Sequence, residues 1–174
     1  MPRTHSGNER VKYISPDEVA ELILAEPKRD DFLIIDVRST DFPGGNLPGA
    51  VNITTREFRD EQSLTRLIRT HILPRPSLHL LILHCMRSQT RGPYAAQLLS
   101  RSPSLPAHID VRVMEGGFAG WWARFKGDER RERLFEGLVQ REEGKGGWEE
   151  VVQAKEGESG EAEDSRKLRG ELGR

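Results

Sequence analysis

Two unbroken apolar runs, Phe32–Ile35 and Leu80–Leu83, constrain this chain more than any other feature. Each is four residues long, far short of the ~20 that a membrane span needs. Neither alternates with polar residues as a half-exposed strand does. Apolar strands this short and this continuous belong in a sheet covered on both faces, and such sheets are built from parallel strands joined by helices.

The rest of the first 125 or so residues supplies suitable partners. Val11–Ile14 reads as a short strand, and Ser15-Pro16-Asp17-Glu18 as a capping box with Ser15 at the N-cap, Pro16 at N1 and Glu18 at N3. Val19, Leu22 and Ile23 give the helix that follows one apolar face. The second strand runs on to Asp36-Val37, and Gly44-Gly45 and Pro48-Gly49 mark a loop over 41–49. Ala50–Ile53 is a brief strand. Arg56–Thr70 is predicted helical with Phe58, Leu64, Leu67 and Ile68 facing inward. Leu80–His84 is the most buried strand, Gly92–Ser100 a helix, and Ile109–Val113 a further strand. The expected fold is a single α/β domain, a central, mainly parallel five-stranded sheet with helices on both faces.

Leu80–Leu99 is the segment with chemistry in it. A buried strand ends at His84-Cys85, and a helix opens at Gly92-Pro93 after Arg91. Parallel sheets place their sites where strand carboxyl ends turn into helices. There the amides of Met86, Arg87, Ser88, Gln89 and Thr90 can form an anion cradle at a helix N-terminus. The same positive end favours the thiolate of Cys85. Arg91 adds a planar, permanently charged fork for two oxygens of a tetrahedral oxyanion. A nucleophile and a charge clamp on one oxyanion are what phosphoryl transfer through cysteine requires. The plain alternative is that Cys85 is a small core hydrophobe; the buried strand, the loop length and the Gly-Pro helix start weigh against it.

Over residues 11–125 the chain resembles the rhodanese-like superfamily. DVRSTDFPGGNLPGAVNI at Asp36–Ile53 is similar to the family's Asp-Val-Arg stretch and Gly-His-Ile-Pro-Gly-Ala segment, and MEGGFAGW at Met114–Trp121 to its Glu-Gly-Gly-Phe-x-x-Trp segment. Asn46 replaces the usual His, and Asp41 stands where Glu is common. Both departures lie far from the cysteine loop in sequence and are expected to touch packing or the rim rather than chemistry. Within the superfamily, sulfurtransferases have four residues between Cys and Arg. Cell-division-cycle-type dual-specificity phosphatases and the fungal arsenate reductases like them have five. This loop has five, and HCMRSQTRGP resembles their His-Cys-x-x-Ser-x-x-Arg-Gly-Pro.

The resemblance implies a protein-tyrosine or dual-specificity phosphatase working through a phosphorylated Cys85, on a phosphorylated protein or a small phosphate. Inositol phosphates stay open through Arg87. A second reading is arsenate reduction, for which glutathione or glutaredoxin must bring the second thiol, because Cys85 is the chain's one cysteine. A sulfurtransferase or an inert binding module stands behind these. His84 either tunes the thiolate, holds the loop through backbone contacts, or is an ordinary core histidine. Asp36 is expected to bond local N–H groups, with Arg38 nearby on the rim. The acid for the leaving oxygen is left open among Asp41, Glu57, Asp60 and Glu115.

Composition trims the remaining classes. A formal net charge of −1 argues against nucleic-acid binding driven by bulk charge. One cysteine excludes an intrachain disulfide framework or a cysteine-rich zinc site, and no metal or resident cofactor is expected. The start MPRTHSGNER has no apolar signal core, so a cytoplasmic or nuclear place and no membrane are expected. There an oxidised Cys85 would depend on an external thiol for rescue. The oligomeric state is left open. Residues 1–10 read as a flexible start and 11–140 as the catalytic domain. Asp128–Gln140 is predicted to be a covering helix through Leu134, Phe135, Leu138 and Val139. Residues 141–174 hold 17 charged residues and seven apolar ones, the composition of a disordered tail, with Trp148 and Val151-Val152 as a possible docking turn.

Overall fold

The computed structural model describes residues 10–138. The expectations for residues 1–9 and for the tail, including Trp148 and Val151-Val152, lie outside the described residues. Five strands form one sheet in the order β1-β5-β4-β2-β3: β1 is Lys12–Ile14, β2 Phe32–Asp36, β3 Val51–Asn52, β4 Leu80–His84 and β5 Asp110–Met114. Every pairing is parallel, so the sheet is wholly rather than mainly parallel. The two apolar runs lie side by side, with Leu33 opposite Leu81 and Asp36 opposite His84.

Strand side chains alternate between faces, and each face has its own cover. Leu33, Ile35, Leu81 and Leu83 pack with Leu64 and Leu67 of α2 (Glu61–Leu67) and Ala95, Ala96 and Leu99 of α3 (Arg91–Arg101). Ile34 and Ile82, equally buried, point to the opposite face. There α1 (Pro16–Leu24) packs against α4 (Gly117–Phe125) and α5 (Arg131–Leu134). The Ser15 capping box forms: Ser15 Oγ accepts the Glu18 N–H at 3.2 Å and Glu18 accepts the Ser15 N–H at 2.9 Å. Among the described residues no helix is long and apolar enough to cross a membrane.

Two helix expectations need correction. Arg56–Thr70 is not one helix. A 3₁₀ turn over Thr55–Phe58 stops at Asp60, whose extended backbone and side chain cap α2 by accepting the Ser63 N–H at 2.8 Å. A wide turn over Ile68–Ile72 follows, closed by the Leu73 N–H on the Ile68 carbonyl. The helix drawn over Asp128–Gln140 shrinks to the single turn of α5. Trp121 Nε1 donates to the Leu134 carbonyl at 2.9 Å, and Phe135 turns extended. Glu136 then exchanges two backbone hydrogen bonds with Asn46, each 2.9 Å. Leu134 and Phe135 are buried as expected, but through a strap rather than a helix; Val139 lies outside the described residues.

Candidate active site

β4 delivers His84 and Cys85 to the carboxyl edge of the sheet, and α3 starts six residues later at Arg91. The loop between them is shaped from outside, by α4. The Phe118 N–H donates to the Cys85 carbonyl at 2.9 Å and the Ala119 N–H to the Met86 carbonyl at 2.8 Å. In a trans peptide the N–H points opposite to the C=O, so the amides of Met86 and Arg87 face away from α4. Ser88 adopts a left-handed φ of 54° and donates its N–H to Cys85 Sγ at 3.2 Å. Such a backbone costs a non-glycine residue on the order of 1 kcal/mol, and here it aims an amide at the sulfur. Met86 and Arg87 are half-buried, Ser88 is buried, and Gln89 and Thr90 are exposed. Cys85 itself is 3% exposed.

This brace needs Gly117. Its φ is 58°, and a Cβ there would lie 2.4 Å from the Cys85 carbonyl oxygen and 2.7 Å from the Met86 carbonyl. The atoms in the way are backbone and belong to the loop itself. The Met114–Trp121 motif stands out in the sequence only through its resemblance, which does not mark the helix α4 that begins within it; Gly116-Gly117 lets that helix begin against another loop.

Beneath the loop lies a buried charge cluster. Asp36 and Arg38 are both wholly buried, joined by Arg38 Nη2 to Asp36 Oδ2 at 2.6 Å and Nε to the same oxygen at 2.8 Å. Asp36 accepts the Arg38 N–H, as the local-bonding expectation has it. Arg38, however, is not on the rim. Its guanidinium lies 4.1 Å from the Phe118 ring and donates to the Gly45 carbonyl at 2.8 Å. Buried and ion-paired, it ties the Asp41 and Gly45 carbonyls of the loop after β2 together from within. His84 is buried too: Nδ1 bonds the Cys85 carbonyl at 3.1 Å, and Nε2 sits 3.6 Å from Asp36 Oδ2 with no hydrogen-bond partner. Burial lowers the His84 pKa below its usual 6.5; Asp36 pulls upward, and Arg38 beside it offsets part of that pull. His84 is therefore a neutral loop brace, donating to Cys85 through Nδ1–H.

Arg91 does not stand alone. Nη1 and Nη2 hold Asp41 Oδ1 and Oδ2 at 2.8 and 2.5 Å. Asp41, placed by sequence at packing or rim, is brought instead onto the arginine of the cysteine loop. Burial works to raise its carboxyl, but the hydrogen bond from Arg91 and that from the Ser39 N–H hold it far below the usual range. An ionised carboxylate in that pair has no proton to give, which takes Asp41 out of the acid candidates. Asp60 is spent as the α2 cap, and its carboxyl is likewise lowered by the Ser63 bonds. Glu57 is exposed on the 3₁₀ turn Thr55–Phe58, and Glu115 on the turn between β5 and α4. Asn46 stays with packing, in the bridge to Glu136. Among the described residues no group of His, Cys, Asp and Glu is placed to hold a metal.

The fold and the site define the class as a parallel α/β domain with a cysteine at the carboxyl edge of its sheet, in a loop that ends at an arginine. The family model of the rhodanese-like domain matches residues 15–124, and the chain belongs to the rhodanese-like family. A Saccharomyces cerevisiae protein named CDC25-like phosphatase YCH1 is 31% identical over 129 residues, 68% of this chain and 86% of that one. The dual specificity phosphatase ibp1 of Schizosaccharomyces pombe is 29% identical, over 68% of this chain and 94% of its own. The S. cerevisiae arsenical-resistance protein 2 is 25% identical, over 64% and 88%. A solved structure described as a yeast protein tyrosine phosphatase of the rhodanese family superposes with a TM-score of 0.61 at 28% identity, covering 76% of this chain and 96% of that one.

Proposed function

We propose that the protein is a cysteine-dependent phosphatase of the protein-tyrosine or dual-specificity type. The carrying observation is the five-residue loop between Cys85 and Arg91, with the Ser88 amide on the sulfur and the Cys85 and Met86 carbonyls tied back to α4. In that reading Cys85 attacks phosphorus as thiolate, an S–P bond forms, and the bond to the leaving oxygen breaks, that oxygen departing as an aryloxide or alkoxide that takes a proton from water. Arg91 and the loop amides take the charge of the equatorial oxygens. Water then attacks the cysteinyl-phosphate, releasing inorganic phosphate and returning the thiolate. Relatives named as phosphatases support the reading. The test is steady-state hydrolysis of an aryl phosphate. The wild type is expected to turn over and Cys85→Ser to be inactive, while activity surviving in that variant would sink the proposal.

Arsenate reduction is the second reading, favoured by the relative named for arsenical resistance and by arsenate's tetrahedral likeness to phosphate. Cys85 would attack arsenic, and an external thiol such as glutathione would then supply the electrons that release arsenite, leaving a disulfide for glutaredoxin to reduce. Arsenate- and glutathione-dependent NADPH consumption in a coupled assay would support it, and its absence would remove it.

A further inference from the structure

We propose that Asp41 is the positioning residue for Arg91, a fixed anion that aims the guanidinium at the oxyanion site. The proposal rests on the oxyanion-transfer reading of the Cys85 loop and adds a residue from a different loop to it. Arginine is a long, rotamer-rich side chain, and the Arg91 side chain is 33% exposed, so nothing about burial fixes its head group. Asp41 is the opposite, with its side chain 5% exposed. Its place is set from three directions. The Ser39 N–H donates to Oδ1 at 3.0 Å, Arg38 Nη1 donates to its carbonyl at 3.3 Å, and the Phe42 N–H closes a turn on the Ser39 carbonyl. Arg38 is in turn anchored on Asp36 and on the Gly45 carbonyl. The buried cluster therefore presents a rigid carboxylate, and the half-exposed arginine docks on it.

The geometry leaves Arg91 able to work. A guanidinium has five N–H donors. The pair with Asp41 takes one from Nη1 and one from Nη2. Nε–H and the second hydrogen on each terminal nitrogen are left for the oxygens of a tetrahedral anion. A surface ion pair formed by chance would join two mobile, exposed groups. Here one partner is nearly buried and braced, and the other carries the role the loop chemistry needs.

The experiment is a double-mutant cycle on the full chain, with Asp41→Asn, Arg91→Ala and the double variant. It reads kcat and KM on an aryl phosphate, and the affinity for inorganic phosphate by calorimetry. Asp41→Asn alone is expected to lose roughly 10- to 100-fold in kcat/KM, the scale set by misplacing a positioned group, and to bind phosphate more weakly. In the Arg91→Ala background the same substitution should be silent, since Asp41 acts only through that arginine. Asp41→Glu keeps the charge and should recover part of both readings, which covers the case of Asp41→Asn failing to fold. Equal losses from Asp41→Asn with and without Arg91, or Asp41→Glu binding phosphate no better than Asp41→Asn, would overturn the proposal. If the wild type hydrolyses no aryl phosphate, the phosphatase reading falls. The phosphate-affinity cycle still judges Asp41, because arsenate chemistry needs the same oxyanion held.

Discussion

Two loops leave the carboxyl ends of the neighbouring strands β2 and β4, and they are held in opposite ways. The loop after β4, from Cys85 to Thr90, is held by backbone: carbonyls on α4 amides and a left-handed Ser88. The loop after β2 is held by side-chain charge: Asp36 on Arg38, Arg38 on the carbonyls of Asp41 and Gly45, and Asn52 Nδ2 on the Asp36 and Arg38 carbonyls. The first ties its Cys85 and Met86 carbonyls to α4 and turns the Ser88 N–H onto the Cys85 sulfur, and the second turns its charges inward. They meet at one pair, Asp41 with Arg91. On the proposed reading the β4 loop needs its own donors for an anion, and what holds its carbonyls and meets its arginine comes from neighbouring segments, α4 and the β2 loop.

The sharpest way to break the comparison is to remove the charge from the β2 loop. Arg38→Ala leaves Asp36 buried without its cation and should cost about 3–5 kcal/mol in urea unfolding, with phosphate binding lost as Asp41 is released. A loss near zero would mean the cluster is not what holds the loop. Gly117→Ala attacks the other loop through its brace. With φ at 58° and the new Cβ against the Cys85 carbonyl, the expected cost is about 2–4 kcal/mol. Oxyanion affinity should fall more than in an alanine variant of the exposed Gly127, where a Cβ meets nothing within 4 Å. Equal behaviour of the two variants would show that α4 does not shape the loop.

The smallest effect concerns His84, which touches both loops. Its folded pKa is lowered below the usual 6.5 by burial. As pH falls through 6.5 the unfolded chain takes up a proton that the folded one refuses, so stability drops as pH falls. The slope reaches at most about 1.4 kcal/mol per pH unit. His84→Asn removes that contribution. The difference in unfolding free energy between wild type and variant should therefore shrink on going from pH 7.5 to 5.5, and parallel curves would contradict a buried neutral imidazole.

The contrast also explains what could be read in the sequence. Strand, cysteine loop and helix start are contiguous between Leu80 and Leu99, so local pattern exposes the whole unit. The Asp41–Arg91 pair joins residues 50 apart, and no periodicity or spacing points across that distance. Arg38 reads as a rim residue because arginine is rarely wholly buried unless paired; its burial rests on the ion pair with Asp36 two residues away and on the Asp41 and Gly45 carbonyls, which no local pattern reveals. The apolar spacing over Arg56–Thr70 runs on without a break, so it does not show that Asp60 takes an N-cap conformation within the span. The covering segment after Asp128 buries Leu134 and Phe135 but not as a long helix, since Asn46 claims the backbone of Glu136.

The most direct test of the account is a rapid-quench experiment with an aryl phosphate, followed by mass spectrometry of the loop peptide. The account predicts a burst of released phenol matching the enzyme concentration and one phosphoryl group on Cys85, both absent from Cys85→Ser. No phosphoryl adduct during turnover, or a persulfide on Cys85 from thiosulfate with rapid thiocyanate release in its place, would contradict it.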